Sequence, residues 1–202
     1  MQVGFVALLV VFQPELRRAL EKVGRSRLSS IFSNSNDYLD EMVKEISDAV
    51  SFLSAEKIGA LIVFERETKL GEVLNSGTEI NAKITAPLII NIFIPNTPLH
   101  DGAMVIREGK IQSSACILPL TSNDNLSREL GTRHRAALGV TENSDCVVVV
   151  VSEETGKISF AENGDMVRSL SVEKMAQLLE KALTKEGVQN KNTGGIFKWL
   201  KK

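Results

Sequence analysis

The sequence predicts an α/β or α+β domain, a mixed central β-sheet flanked by helices. Two short, unbroken apolar runs, residues 58–64 (IGALIVF) and 146–152 (CVVVVVS), have the length and β-branched content of buried strands. Amphipathic helical patterns bracket them. One carries Leu39, Met42, Val43, Ile46, Val50 and Leu53, and the other sets Met175, Leu178, Leu179 and Ala182 on one face. Strand and helix signals interleave without an internal repeat, the order expected of a sheet covered by helices.

Taken in order, residues 1–24 read as a partial transmembrane and juxtamembrane helix. Residues 3–12 (VGFVALLVVF) are apolar all round, about half of the roughly 20 residues a span requires. No positive charge precedes them as in a signal peptide, and Arg17, Arg18, Lys22, Arg25 and Arg27 follow on what would be the cytoplasmic side. Residues 25–36 (RSRLSSIFSNSN) are a Ser/Asn-rich linker. Residues 37–186 form the globular domain, with Asn36 or Asp37 capping its first helix. Residues 78–93 are ambiguous. Ile80, Ile84, Leu88 and Ile92 recur four apart, while Pro87 marks a helix start near itself. Residues 103–106 and 110–118 read as a hairpin around Glu108-Gly109. A helix begins after Thr132 and ends near Gly139, and Gly156-Lys157 turns the second apolar strand into residues 158–161. Residues 187–202 are a flexible, basic tail.

The chain has 202 residues, enough for one sizeable core, and its 43% hydrophobic and 24% charged content is that of an ordinary globular protein. The 24 basic residues nearly cancel 25 acidic ones, so no global field favours nucleic acid and any nucleotide must be held by a local site. The two cysteines, Cys116 and Cys146, lie within apolar runs and read as reduced core residues.

Both histidines fall in two short motifs, His100-Asp101-Gly102-Ala103 and Thr132-Arg133-His134-Arg135. In the first, a carboxylate sits at a strand edge, able to hold a divalent metal or orient a hydroxyl, with Gly102 letting a ligand approach the backbone. In the second, Thr132 is a candidate N-cap, which aims the amides of Arg133 and His134 at an anion ahead of the helix. Successive helical residues diverge by about 100°, so Arg135 faces elsewhere and reads as a brace. A third piece, Ser152-Glu153-Glu154, ends the second buried strand, where a carboxylate can complete a metal site with His100 or Asp101.

Together these residues resemble the diadenylate cyclase domain family, whose Asp-Gly-Ala and Arg-His-Arg motifs stand here as Asp101-Gly102-Ala103 and Arg133-His134-Arg135. The likeness runs through NIFIPNTPLHDGAMVI, CILPL, ELGTRHRAALGVTE and VVVSEETGKIS, and FQPELRRALEKVGR resembles the juxtamembrane segment of the membrane-bound class. In that class three transmembrane helices precede the domain, and the likeness starts this sequence inside the third. The resemblance implies condensation of two ATP into cyclic di-AMP at the cytoplasmic face of the bacterial membrane, or in the cytoplasm without the anchor.

By position, the resemblance makes Asp101, Arg133 and His134 catalytic, with Asp101 binding metal and activating the ribose hydroxyl. Gly102 and Ala103 would lie against ribose and base, Leu118 would meet adenine through its backbone, and Thr132, Arg133, His134 and Ser152 would hold the triphosphate. His100 and Glu154 would join Asp101 on a divalent metal, Mn2+ or Mg2+. Ile117 stands where the class often has tyrosine, which removes a stacking face. A homodimer is implied, because each chain holds one ATP. A membrane regulator of the cyclase and a phosphoglucosamine mutase are the implied partners. The competing readings are a catalytically silent nucleotide-binding sensor of the same fold, a metal-dependent phosphohydrolase and a structural adaptor. Two histidines are too few for the second of these.

Overall fold

The computed structural model describes residues 35–122 and 131–184. The expectations for residues 1–34 and for residues 185–202 lie outside the described residues. The unit that holds the sheet begins at Leu39. Among the described residues no helix is long and apolar enough to cross a membrane.

The elements are α1 (Ser35–Ala55), β1 (Ala60–Phe64), α2 (Gly71–Ser76), β2 (Thr78–Lys83), α3 (Ala86–Phe93), β3 (Ala103–Arg107), β4 (Lys110–Cys116), α4 (Thr132–Asn143), β5 (Val147–Val151), β6 (Ile158–Glu162), β7 (Asp165–Leu170) and α5 (Val172–Leu183). Seven strands form one mixed sheet in the order β2-β4-β3-β1-β5-β6-β7. Only β1 and β3 pair in parallel; every other neighbour is antiparallel.

The two apolar runs pair with each other at the centre, Ala60 opposite Val151 and Phe64 opposite Val147, and all ten residues are buried. Alternation then divides them between two cores. Ile62, Phe64, Met104, Ile106, Val147 and Val149 pack with α1, α3 and α5. Leu61, Val63, Ala103, Val105, Val148 and Val150 pack with α4 and with Leu74 of α2. Each fully buried aliphatic side chain contributes about 1.5–3 kcal/mol, so the sheet centre anchors the fold.

The ambiguous stretch 78–93 splits into an edge strand and a helix. Pro87 lies in the first turn of α3, where its missing N–H costs nothing, and Ile80 belongs to β2 instead. The β3–β4 hairpin turns at Glu108 and Gly109, with φ of 50° and 71°, a turn with both central residues left-handed. Asn163 and Gly164 repeat this geometry between β6 and β7, an element the sequence reading passed over. Ser171 caps α5 by accepting from the Lys174 amide at 3.2 Å. The four residues expected on the inner face of α5, from Met175 to Ala182, are buried.

Two expectations for α4 need correction. Its N-cap is Gly131, and Thr132 is the first helical residue, so the threonine hydroxyl does not cap. The helix also runs past Gly139 to Asn143. Gly139 serves packing instead. A Cβ there would lie 2.2 Å from the Pro119 carbonyl oxygen and 2.7 Å from the Thr121 nitrogen. The 119–121 strip can lie directly on the helix only because that position is bare, and Thr121 N–H donates to the Arg135 carbonyl at 3.1 Å.

Candidate active site

A cleft of about 700 Å³ opens on the α4 side of the sheet, where β1 and β3 begin and β4 and β5 end. This volume suits a small-molecule ligand. His100, Asp101 and Gly102 come from the segment entering β3, and Leu118 from the segment leaving β4. Thr132, Arg133 and His134 come from the first turn of α4, and Ser152 and Glu154 from the turn after β5. The fold thus brings all of these predicted residues to one cleft. Ala103 alone does not line it; its methyl group is buried in the core beneath.

At the start of α4, His134 N–H and Arg135 N–H both donate to the Gly131 carbonyl, at 3.1 and 3.2 Å. The amides of Thr132 and Arg133 are therefore the pair with no helical acceptor, not those of Arg133 and His134 as the sequence suggested. They give the cleft an anion-ready edge.

His134 is buried, and its Nε2 faces the Ser159 hydroxyl at 3.4 Å. Burial, helped by the Arg168 charge and opposed by Glu154, holds its pKa below the ordinary imidazole range. At neutral pH it is a neutral imidazole, which offers a hydrogen bond and no positive charge. At the helix start Arg133 Nη1 donates to Glu153 Oε2 at 2.5 Å. Arg135 is exposed, and among the described residues its side chain shows no hydrogen bond.

On the opposite wall, His100 Nδ1 lies 2.6 Å from the Thr97 carbonyl. A carbonyl only accepts, so Nδ1 carries the proton and Nε2 is the nitrogen with a free lone pair, the tautomer a metal-binding imidazole adopts. Asp101, Glu153 and Glu154 are exposed at the mouth. Among the described residues, no three His, Cys, Asp or Glu side chains converge on one point as a metal cage. A cation at this mouth would therefore find at most one or two of these side chains as ligands.

Gly102 has a reason beyond ligand approach. Its φ is +130°, and a Cβ would stand 2.7 Å from the Ala115 carbonyl carbon. The β3–β4 register shifts at this level, and Ala115 itself has φ of 55°. The glycine lets the Asp101 corner press onto that irregular strand. Ser152 organises the turn after β5, its hydroxyl accepting from the Thr155 amide at 3.3 Å and its amide donating to the Lys157 carbonyl at 3.1 Å. Sequence reasoning did not single out Gly59, which touches the Arg133–Glu153 pair. Lying inside an apolar run, it carries no local signal.

The cleft thus gathers carboxylates from the segments around β3 and β5 and a helix start with two amides that lack a helical acceptor, at the ends of central strands. The family model described as the DisA bacterial checkpoint controller nucleotide-binding domain matches residues 47–166, and the chain belongs to this family. It is 46% identical over 181 residues to the cyclic di-AMP synthase CdaA of Bacillus subtilis, covering 88% of this chain and 65% of that protein. It is 38% identical to the diadenylate cyclase of Mycoplasma genitalium, covering 71% of this chain and 72% of that protein. This chain therefore spans just under two thirds of the length of the Bacillus relative. Among solved structures, a double mutant of DacA from Staphylococcus aureus superposes with a TM-score of 0.69 at 45% identity, covering 70% of this chain and 95% of that one.

Proposed function

We propose that this chain is a diadenylate cyclase that condenses two ATP into cyclic di-AMP and two pyrophosphates. The observation that carries the reading is the convergence of Asp101 with the Thr132–Arg133–His134 turn on one cleft, in a chain of this family. In each half-reaction the 3′-oxygen of one ATP bonds to the α-phosphorus of the other. The bond from that phosphorus to the β-bridging oxygen breaks, and pyrophosphate leaves with its electron pair. The hydroxyl proton passes to a nearby base, and the second half-reaction closes the ring.

Each residue has a task in this scheme. The Thr132 and Arg133 amides and the Arg133 guanidinium bind the triphosphate, and neutral His134 orients it by a hydrogen bond. Leu118 meets the base, and Gly102 and Ala103 shape the floor near the ribose, Ala103 from beneath. Asp101 orients the 3′-hydroxyl. A divalent cation, Mn2+ or Mg2+, would draw its protein ligands from among Asp101, His100 Nε2 and Glu154, with water and substrate phosphates completing its shell, and would neutralise charge on the phosphates when bound. Since one cleft serves one ATP, catalysis requires two copies placed face to face with each hydroxyl at the other's phosphate. The site of action is the cytoplasmic face of the bacterial membrane, with a membrane regulator and a phosphoglucosamine mutase as partners.

The test is incubation of purified protein with ATP and Mn2+ or Mg2+ over a range of protein concentrations. Cyclic di-AMP formed at a rate per chain that rises with protein concentration is the expected result. ATP binding without product at high concentration would leave a silent nucleotide sensor, and the cyclase reading would fall.

A further inference from the structure

Arg133 rests in a seat built by two residues to which the scheme above gives no task. A Cβ on Gly59 would stand 2.7 Å from Arg133 Nη1, 2.8 Å from its Cζ and 3.0 Å from Glu153 Oε2. The guanidinium therefore lies directly over the place a side chain would fill. Gly59 does not have positive φ, so conformation does not demand glycine there. The space does. Glu153 grips the same group by the Nη1–Oε2 hydrogen bond. The Arg133 side chain is 22% exposed and that of Glu153 is 63% exposed, so the seat is open to the cleft on one side.

We propose that Gly59 and Glu153 are positioning residues that pre-set the Arg133 guanidinium for the polyphosphate of the substrate. The inference rests on the reading of Arg133 as a phosphate ligand. A free arginine has many rotamers to lose when it binds an anion; one already held has lost them before the substrate arrives. The guanidinium has five N–H groups in a fixed fork, so the bond to Glu153 leaves others for phosphate oxygens. Glu153 is also next to Glu154, so the seat ties the phosphate grip to the turn that carries a metal-binding candidate.

Steady-state kinetics of the full chain with ATP and Mn2+ provide the test, with direct ATP titration by calorimetry alongside. Glu153→Ala should raise KM and the ATP dissociation constant about five- to tenfold while kcat changes less than about twofold, the pattern of lost uniform binding. Glu153→Gln keeps a carbonyl acceptor and should restore ATP affinity to within about twofold of the parent. Gly59→Ala should raise KM similarly, and adding it to Glu153→Ala should cost little more, because both changes loosen one side chain. If Gly59→Ala does not fold, the two Glu153 variants decide the matter, since that side chain is exposed. An unchanged or tighter ATP affinity in Glu153→Ala would overturn the proposal, the tighter case marking Glu153 as a competitor of phosphate. Wild-type protein that binds ATP but makes no product would fell the cyclase reading and leave the seat to be judged by the titrations. Wild-type protein that does not bind ATP would overturn both.

Discussion

Replacing Gly139 by alanine separates two physical expectations of opposite sign. Within a helix, glycine to alanine normally stabilises by about 1 kcal/mol. Gly139 is buried inside α4, so propensity alone predicts a more stable protein. The tertiary structure predicts the reverse. The new Cβ would stand 2.2 Å from the Pro119 oxygen and 2.7 Å from both Leu120 C and Thr121 N. All three are backbone atoms that cannot swing aside as a side-chain tip does. The 119–121 strip must retreat by most of an ångström, and the Thr121 N–H bond to the Arg135 carbonyl stretches with it. Overpacking of this kind costs about 1–3 kcal/mol and a weakened hydrogen bond about 1 kcal/mol more. After the propensity gain, Gly139→Ala should be destabilised by about 2 kcal/mol, or about 4–8 °C in melting midpoint for a domain of this size. Thermal and urea denaturation followed by far-UV circular dichroism give the number. Because the same strip carries Leu120 into the cleft, ATP affinity should fall as well. A variant at or above wild-type stability would refute the packing argument.

Other expectations concern the cleft and the charges at the far end of the sheet. Asp101→Asn should lose cyclic di-AMP synthesis almost completely, with the melting midpoint within a few degrees of the parent because the side chain is exposed; product assay and denaturation together check this. For Glu65, burial alone would raise the pKa. Paired N–H groups of Arg107 at 2.7 and 2.6 Å, the Leu70 amide and Lys69 more than reverse this, and the carboxyl ends below its ordinary 4.5. A lowered carboxyl pKa contributes stability that is present above the unfolded value and is lost as pH falls through the folded one. Arg107→Gln should therefore be less stable at pH 7 and lose less on acidification below pH 4.5, which paired urea titrations measure. The Arg66–Glu162 pair, bonded at 2.9 Å with both side chains over nine-tenths buried, predicts that Glu162→Ala alone costs about 3–5 kcal/mol. Replacing both partners by methionine should recover most of that loss, and a double-mutant cycle tests it.

Local chemistry made a good part of the fold legible. The apolar runs became the paired central strands β1 and β5, since only burial on both faces suits such sequences. The α5 face and the Glu108-Gly109 hairpin followed from periodicity and turn chemistry. The Asn163-Gly164 turn was equally legible and was passed over, although Asn-Gly between two strand-like runs is a strong hairpin signal. Within residues 78–93 the helix start at Pro87 was legible, but the edge strand before it was not, because the period of four in Ile80, Ile84, Leu88 and Ile92 runs by chance across both elements.

The sequence by itself determined the mixed sheet, the family and the motif residues that line the cleft, because strand burial, turn propensity and reactive side chains are local properties. Tertiary structure decided how each residue is held there. Thr132 lost the capping role when Gly131 took it, and His134 became neutral because the fold buries it. The glycines changed meaning for the same reason. Gly139, read as a helix end, and Gly102, read as room for a ligand, make space for backbone segments that residue spacing cannot place, and Gly59 makes room for Arg133. A missing Cβ acquires its purpose only from the neighbour that fills the gap, and that neighbour arrives from elsewhere in the chain.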